Sequence, residues 1–173
     1  MVAPLCHTLA LNYDQGRQLD KLVVTWSDYC RELVGADRCS IFLYNELTRE
    51  LIGFVPGGSS HARLSIDEPG VLTGCAKANE IINVKEAKSD LRYIRVNDAA
   101  SGYDVQTVLA VPFESVARGG VMGVCQLFNK KVTAGQELAG FTSDDEAALD
   151  MALRVAALDM ENGRLTAECA ELD

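Results

Sequence analysis

The chain has 173 residues, 48% of them hydrophobic, which is one domain's length with enough apolar mass for a core. Sixteen Lys and Arg stand against twenty-five Asp and Glu, for a net charge of -9 and a pI near 4.7. Such a field repels polyanions and argues against nucleic acid or an acidic membrane surface as a partner. A small ligand with one phosphate stays compatible, because backbone N–H groups at a helix start hold such a group locally.

Six cysteines stand at 6, 30, 39, 75, 125 and 169, with no C-x-x-C, and the only imidazoles are His7 and His61. Zinc is therefore not expected, and buried thiols in a reducing compartment are. The start, "MVAPLCHTLALNYDQG", lacks the basic flank of a signal peptide, and no apolar run approaches a membrane span. The expected location is the cytoplasm.

In chain order, residues 1–17 read as a leader. From Leu19 the residues Leu22, Val23, Trp26, Tyr29, Cys30 and Leu33 fall at helical spacing. "RCSIFLYN", 38–45, and "LIGFV", 51–55, read as two strands around the polar turn "ELTRE". Pro56 to Ser60 interrupts, and "ARLSI", 62–66, resumes as a strand. Pro69-Gly70 introduces a short helix over 71–78, followed by a strand at 81–84. Residues 85–104 read as a short helix and loop. "TVLAVPFESV" and "VMGVCQLFN" form two strands around Ala117-Arg118-Gly119-Gly120; the apolar run 108–113 suits a strand buried on both faces.

A long helix then starts at Thr142-Ser143-Asp144-Asp145-Glu146, where Ser143 and Glu146 have capping-box spacing. Leu149, Leu153, Ala156 and Met160 make one apolar stripe. Ala148, Met151, Ala152, Val155 and Leu158 widen it beyond what one sheet needs, so a second partner is expected, either another helix or another subunit, the latter as a homodimer through the terminal helices. The whole predicts an α+β fold: an antiparallel sheet with the terminal helices on one face and short helices on the other. Nothing in the chain pairs a nucleophile with a base, forms a Gly-rich phosphate loop or clusters metal ligands, so a regulator rather than an enzyme is expected.

Between the last strand and the last helix, "LFNKKVTAGQELAGFTSDDE" carries Asn129, Lys130, Phe141, Asp145 and Glu146. Lys130 and Asp145 are expected to pair as a clamp between sheet and helix, with Asn129 ending the strand and Phe141 filling the core.

These residues, with "RCSIFLYN", "GVLTGCAKANEIINVKEA", "SDLRY", "SGY", "TVLAVPF" and "VMGVCQLFNKK", resemble the GAF domain in its cyclic-nucleotide-binding form. That form occurs in tandem in cyclic-nucleotide phosphodiesterases and some adenylyl cyclases. The resemblance covers residues 18–163 and leaves 164–173 as the start of a connecting helix. Asn-Lys followed by Phe-x-x-x-Asp-Glu is the subfamily's signature. The resemblance implies a GAF-like fold and a pocket between the sheet and the middle helices. In it Ser40 and Asp98 meet the purine edge, and Val71 and Leu72 offer backbone amides to the cyclic phosphate. Ser101 and Val105 fall near the ribose and phosphate, and Gln126 faces the pocket. It implies no cofactor, a cAMP or cGMP ligand with cAMP slightly favoured, and signalling through the terminal helices to an output domain such as a phosphodiesterase.

The pattern departs at Val55-Pro56, where the family often has Phe-Asp. There an aromatic contact worth about 1–3 kcal/mol is missing, and Pro56 has no N–H to donate. At Val105 a methyl replaces a hydroxyl. A non-binding dimerisation or spacer module is the alternative these losses favour. Two others are weaker. A methionine sulfoxide reductase would have to use Cys75, and a bilin photosensor would have to use Cys6-His7.

Overall fold

The computed structural model describes residues 13–53, 62–94, 102–131 and 140–170, with the side chains of 13–18 and 163–170 left aside. The elements are α1 (Tyr13–Leu33), β1 (Ala36–Asn45), β2 (Glu50–Gly53), β3 (Ala62–Ser65), α2 (Val71–Ala78), β4 (Ile82–Val84), β5 (Val108–Glu114), β6 (Val121–Lys130) and α3 (Ser143–Ala170). The strands form one sheet in the order β3-β2-β1-β6-β5-β4, with every neighbouring pair antiparallel. The expected α+β architecture is what forms.

Period-2 alternation divides the side chains of the central strands between two cores. Ile41 and Leu43 of β1, Leu109, Val111 and Phe113 of β5, and Cys125 and Leu127 of β6 pack under α1 and α3. Val108, Ala110 and Val124, with the half-buried Phe42 and Phe128, face α2. The run 108–113 is apolar because β5 serves both cores. A bulge at Phe113/Glu114 shifts the phase, so Met122 joins the helix-side core. On α3 the two stripes separate: Leu149, Leu153, Ala156 and Met160 are fully buried, whereas Met151, Val155 and Leu158 face outward.

Several local expectations are corrected. α1 starts at Tyr13, inside the segment read as a leader. No helix forms in the described part of 85–104; turns held by Asp90 and Arg92 replace it. The cap of α3 is not Ser143 with Glu146. Thr142 Oγ1 accepts from the Asp145 N–H at 3.2 Å, and Asp145 Oδ2 accepts from the Thr142 N–H at 2.8 Å. Thr142 is the N-cap and Asp145 its reciprocal partner, while Glu146 instead accepts from Asn83 Nδ2 at 2.5 Å. Nor does Asn129 end the strand, since β6 runs on to Lys130.

Lys130 joins three elements. Its Nζ lies 2.8 and 2.9 Å from the two Asp145 oxygens at the start of α3, and donates to the Val34 carbonyl just past α1 at 2.6 Å. A cation over a helix C-terminus and a carboxylate in a helix first turn each satisfy orphan backbone groups and suit the helix dipoles. The Lys130 side chain is 23% exposed and that of Asp145 12%. Solvent therefore screens the pair far less than a surface ion pair. Beside it Phe141 is fully buried in the helix-side core, and its carbonyl accepts from Asn83 and Lys85.

Breaking this joint has a defined signature. Lys130→Ala and Asp145→Ala should each destabilise the fold by about 1–3 kcal/mol in urea titrations, because each strands a desolvated partner. The double variant should lose less than the sum. Burial pushes the Asp145 carboxyl up, but the Lys130 hydrogen bond, the Thr142 N–H and the Lys130 charge outweigh it and hold it below its ordinary value. Its contribution is therefore complete above the unfolded value of about 3.9. It is lost as pH falls through the lower folded value. Asp145→Asn should flatten that acid limb in a stability-against-pH series.

Candidate functional site

A cavity of about 500 Å³ opens between the sheet and α2, within the range of small-molecule sites. Its floor is the α2-facing side of the two central strands: Ser40 and Phe42 of β1, Gln126 and Phe128 of β6. Ser40 and Gln126 are register partners, so a hydroxyl and an amide stand side by side between two aromatic rings. Both groups donate and accept, which suits a heterocycle edge of either polarity. The Phe42 ring has room to lie across β2 because its register partner is Gly53. A Cβ there would sit 2.4 Å from the ring.

One wall is the start of α2, with Glu68, Pro69, Gly70, Val71, Leu72 and Thr73; Leu64, Tyr93 and Ile94 complete the lining. Gly70, at φ 156° and ψ 170°, occupies a backbone region open essentially to glycine, and brings the chain into the helix with no side chain at the mouth. No side chain caps α2, whose first helical bond is Gly74 N–H to the Gly70 carbonyl. The Thr73 hydroxyl is spent on the Glu68 and Gly70 carbonyls, at 2.6 and 3.3 Å. The first-turn N–H groups are thus left for a partner at the positive end of the helix dipole. No Lys or Arg lines the cavity among the described residues.

Of the residues expected at a ligand, Ser40, Val71, Leu72 and Gln126 line this cavity. Val105 does not: it is 4% exposed and packs into the α2-side core. Val55, Asp98 and Ser101 lie outside the described residues. Sequence reasoning missed Phe42, Phe128 and Tyr93. Alternation with Ile41 and Leu127 could have placed the two phenylalanines opposite the helix-side core. Tyr93 is held by a turn in which Arg92 forks onto Asp90, at 2.6 and 3.0 Å.

Asn129 also does more than expected. At φ 53° its backbone N–H donates to the Thr107 carbonyl, and its side-chain amide stitches the segment entering β5. Oδ1 accepts from the Gln106 and Thr107 N–H groups at 2.7 and 3.2 Å, and Nδ2 donates to the Asp104 carbonyl at 2.9 Å and the Tyr103 hydroxyl at 3.1 Å. Tyr103 donates to Asp37 at 2.6 Å beneath the Arg38 guanidinium. Burial, then the Asp37 hydrogen bond and charge, push this phenol well above its ordinary range, so it stays a donor. Neighbouring residues of one strand thus fasten both faces of the sheet, Asn129 toward the cavity side and Lys130 toward the helices.

Cys75 is buried on α2 and its thiol is pushed up to about 12 by that burial, which leaves it a poor nucleophile at neutral pH. Cys6-His7 lies outside the described residues. Among the described residues no group of His, Cys, Asp or Glu is arranged for a metal ion, and no helix is long and apolar enough to cross a membrane.

Comparison with known proteins bears on the fold and the family. A probable 3',5'-cyclic phosphodiesterase (pde-5) of Caenorhabditis elegans is 25% identical over 160 residues, spanning 85% of this chain and 21% of that protein. A dual 3',5'-cyclic-AMP and -GMP phosphodiesterase 11A of Takifugu rubripes is 29% identical over 147 residues, spanning 78% and 16%. The chain therefore corresponds to about a fifth or less of each relative. Among solved structures, the GAF domain of a phosphoenolpyruvate-protein phosphotransferase from Coxiella burnetii superposes with a TM-score of 0.68 at 18% identity, covering 87% of this chain and 86% of that one. A type II free methionine-R-sulfoxide reductase from Thermoplasma acidophilum gives 0.65 at 17%, covering 86% and 95%. At such identities these likenesses show the fold alone. The family profile of the GAF domain matches residues 18–160, and the chain belongs to that family.

Proposed function

We propose that this GAF domain is a regulatory module that binds a purine 3',5'-cyclic nucleotide, cAMP slightly ahead of cGMP, and signals through α1 and α3 to a linked output domain, a cyclic-nucleotide phosphodiesterase. The observation that carries the reading is the cavity. It combines a Ser40–Gln126 floor between two aromatic rings with the uncapped start of α2. The floor suits a purine and the helix start suits one phosphate, which needs no cation in the lining. Phe42, Phe128 and Tyr93 supply ring faces where Val55 does not. The relatives are named as cyclic-nucleotide phosphodiesterases, which supports the choice of ligand and output. Free Cys30, Cys39, Cys75 and Cys125 support a reducing, cytoplasmic setting.

The same reading makes the module a homodimer through its terminal helices. Met151, Val155 and Leu158 are 71, 55 and 44% exposed on α3, and Tyr29 and Leu33 of α1 are 51 and 41% exposed. The helices are joined on their outer side by Trp26, which donates to Asp159 at 3.0 Å.

Calorimetric titration with cAMP, cGMP and their open 5'-monophosphates tests the ligand. The cyclic forms should bind more tightly, and Gln126→Ala should weaken them by about tenfold, the equivalent of one lost hydrogen bond. Absence of heat and of any thermal shift at millimolar cAMP and cGMP would reject binding and leave the spacer reading. Sedimentation tests the dimer: Val155→Glu should move the chain to the monomer with its circular-dichroism spectrum unchanged and a melting temperature that no longer depends on protein concentration, and a wild-type monomer would reject that interface.

A further inference from the structure

Three of the free thiols meet beneath the cavity floor. Cys39 of β1 registers with Leu127 and Cys125 of β6 with Ile41, so the two cysteines are diagonal neighbours across the central ladder. Their sulfurs are 3.4 Å apart. Cys30 of α1 is fully buried in the same helix-side core as Cys125. The residue after Cys39 is Ser40 and the residue after Cys125 is Gln126. By alternation the thiols form the underside of the hydroxyl–amide pair that floors the cavity. Cys39 is half-buried and open to a small oxidant, whereas Cys125 is fully enclosed. Cys39 is the member of the pair that a small oxidant reaches, so oxidation begins there.

We propose that Cys39 and Cys125 are a thiol oxidation site, with a hydroperoxide as oxidant, that cross-links β1 to β6 beneath the cavity. The Cys39 thiolate attacks one peroxide oxygen, the O–O bond breaks, and the departing oxygen takes a proton to leave as water or alcohol. Cys39 becomes a sulfenic acid. The Cys125 sulfur then displaces the hydroxyl group, its own proton departs with that group as water, and the S–S bond forms. The two sulfurs together lose two electrons, which the broken O–O bond accepts. Diagonal Cα atoms of an antiparallel pair lie about 7–8 Å apart, beyond the usual disulfide range of about 4.4–6.8 Å. The bond therefore strains the ladder and is readily reduced by a dithiol, as reversible disulfides are. Closing it draws β1 and β6 together on the helix side and shifts Ser40 against Gln126 on the other.

The test is peptide mapping of the chain after hydrogen peroxide, with alkylation and digestion under non-reducing conditions. The expected result is a Cys39–Cys125 linked peptide and an intact mass lower by two hydrogens, both reversed by dithiothreitol. Cys39→Ser should lose the link, and Cys125→Ser should leave a Cys39 sulfenic acid that dimedone traps. If either variant does not fold, the wild-type map decides. A Cys30–Cys125 link in its place would overturn the assignment, as would Cys39 and Cys125 remaining alkylatable after denaturation while other cysteines are oxidised. Hydrogen exchange reads the floor: the peptides carrying Ser40 and Gln126 should change their exchange rates on oxidation. Unchanged rates would overturn the link between the thiols and the cavity.

Discussion

Apolar packing presses α1 and α3 against the sheet but leaves their axial position soft, since a stripe of Leu, Val and Ala can slide. The Lys130 ammonium removes that freedom. Three oxygens converge on it, from the residue just past one helix and the first turn of the other, and they meet only at one setting of both helices on β6. In a chain with a large excess of acids, a half-buried cation placed there also neutralises a carboxylate that would otherwise be stranded beside the core. The cavity on the far side inherits this indexing, because its floor is the same two strands, and Asn129 fixes the segment that enters β5 beside them.

The sheet is thus a thin partition with two occupied sides, and glycine decides how closely each side can be approached. Gly53 yields its Cβ space to the Phe42 ring, and Gly123 yields its own to the Phe42 carbonyl and the Phe113 ring, at 2.4 and 2.6 Å. A methyl at either position would push on an aromatic side chain at once. Phe42 floors the cavity and Phe113 packs under the terminal helices, so glycines on the two strands that flank β1 control opposite faces.

The larger architecture was legible in the sequence because periodicity reports burial. The stripe at Leu149, Leu153, Ala156 and Met160 marks a helix on a sheet, and the apolar run through β5 marks a strand covered twice. The short helix at 71–78 announced itself through Pro69-Gly70. Less was legible in the site. Thr142 and Ser143 are equivalent N-caps by composition, and only the folded geometry, in which Asp145 bonds back to Thr142, chooses between them. Val105 matched by position, yet its side chain turns into the core. Asn129 could not be recognised as a stitch, because its partners at Tyr103 to Thr107 are set by tertiary approach. The three central thiols, far apart in sequence, gave no spacing signal.

The sheet also ends in a particular way. Its edge strands are its shortest ones with β2: four residues in β3, with Arg63 on the strand, and three in β4, followed at once by Lys85. A short, charged edge offers few free N–H and C=O groups in a row, and so is a poor template for a strand from another molecule. Self-association by edge pairing, the route to domain swapping and fibrils, is therefore disfavoured by construction.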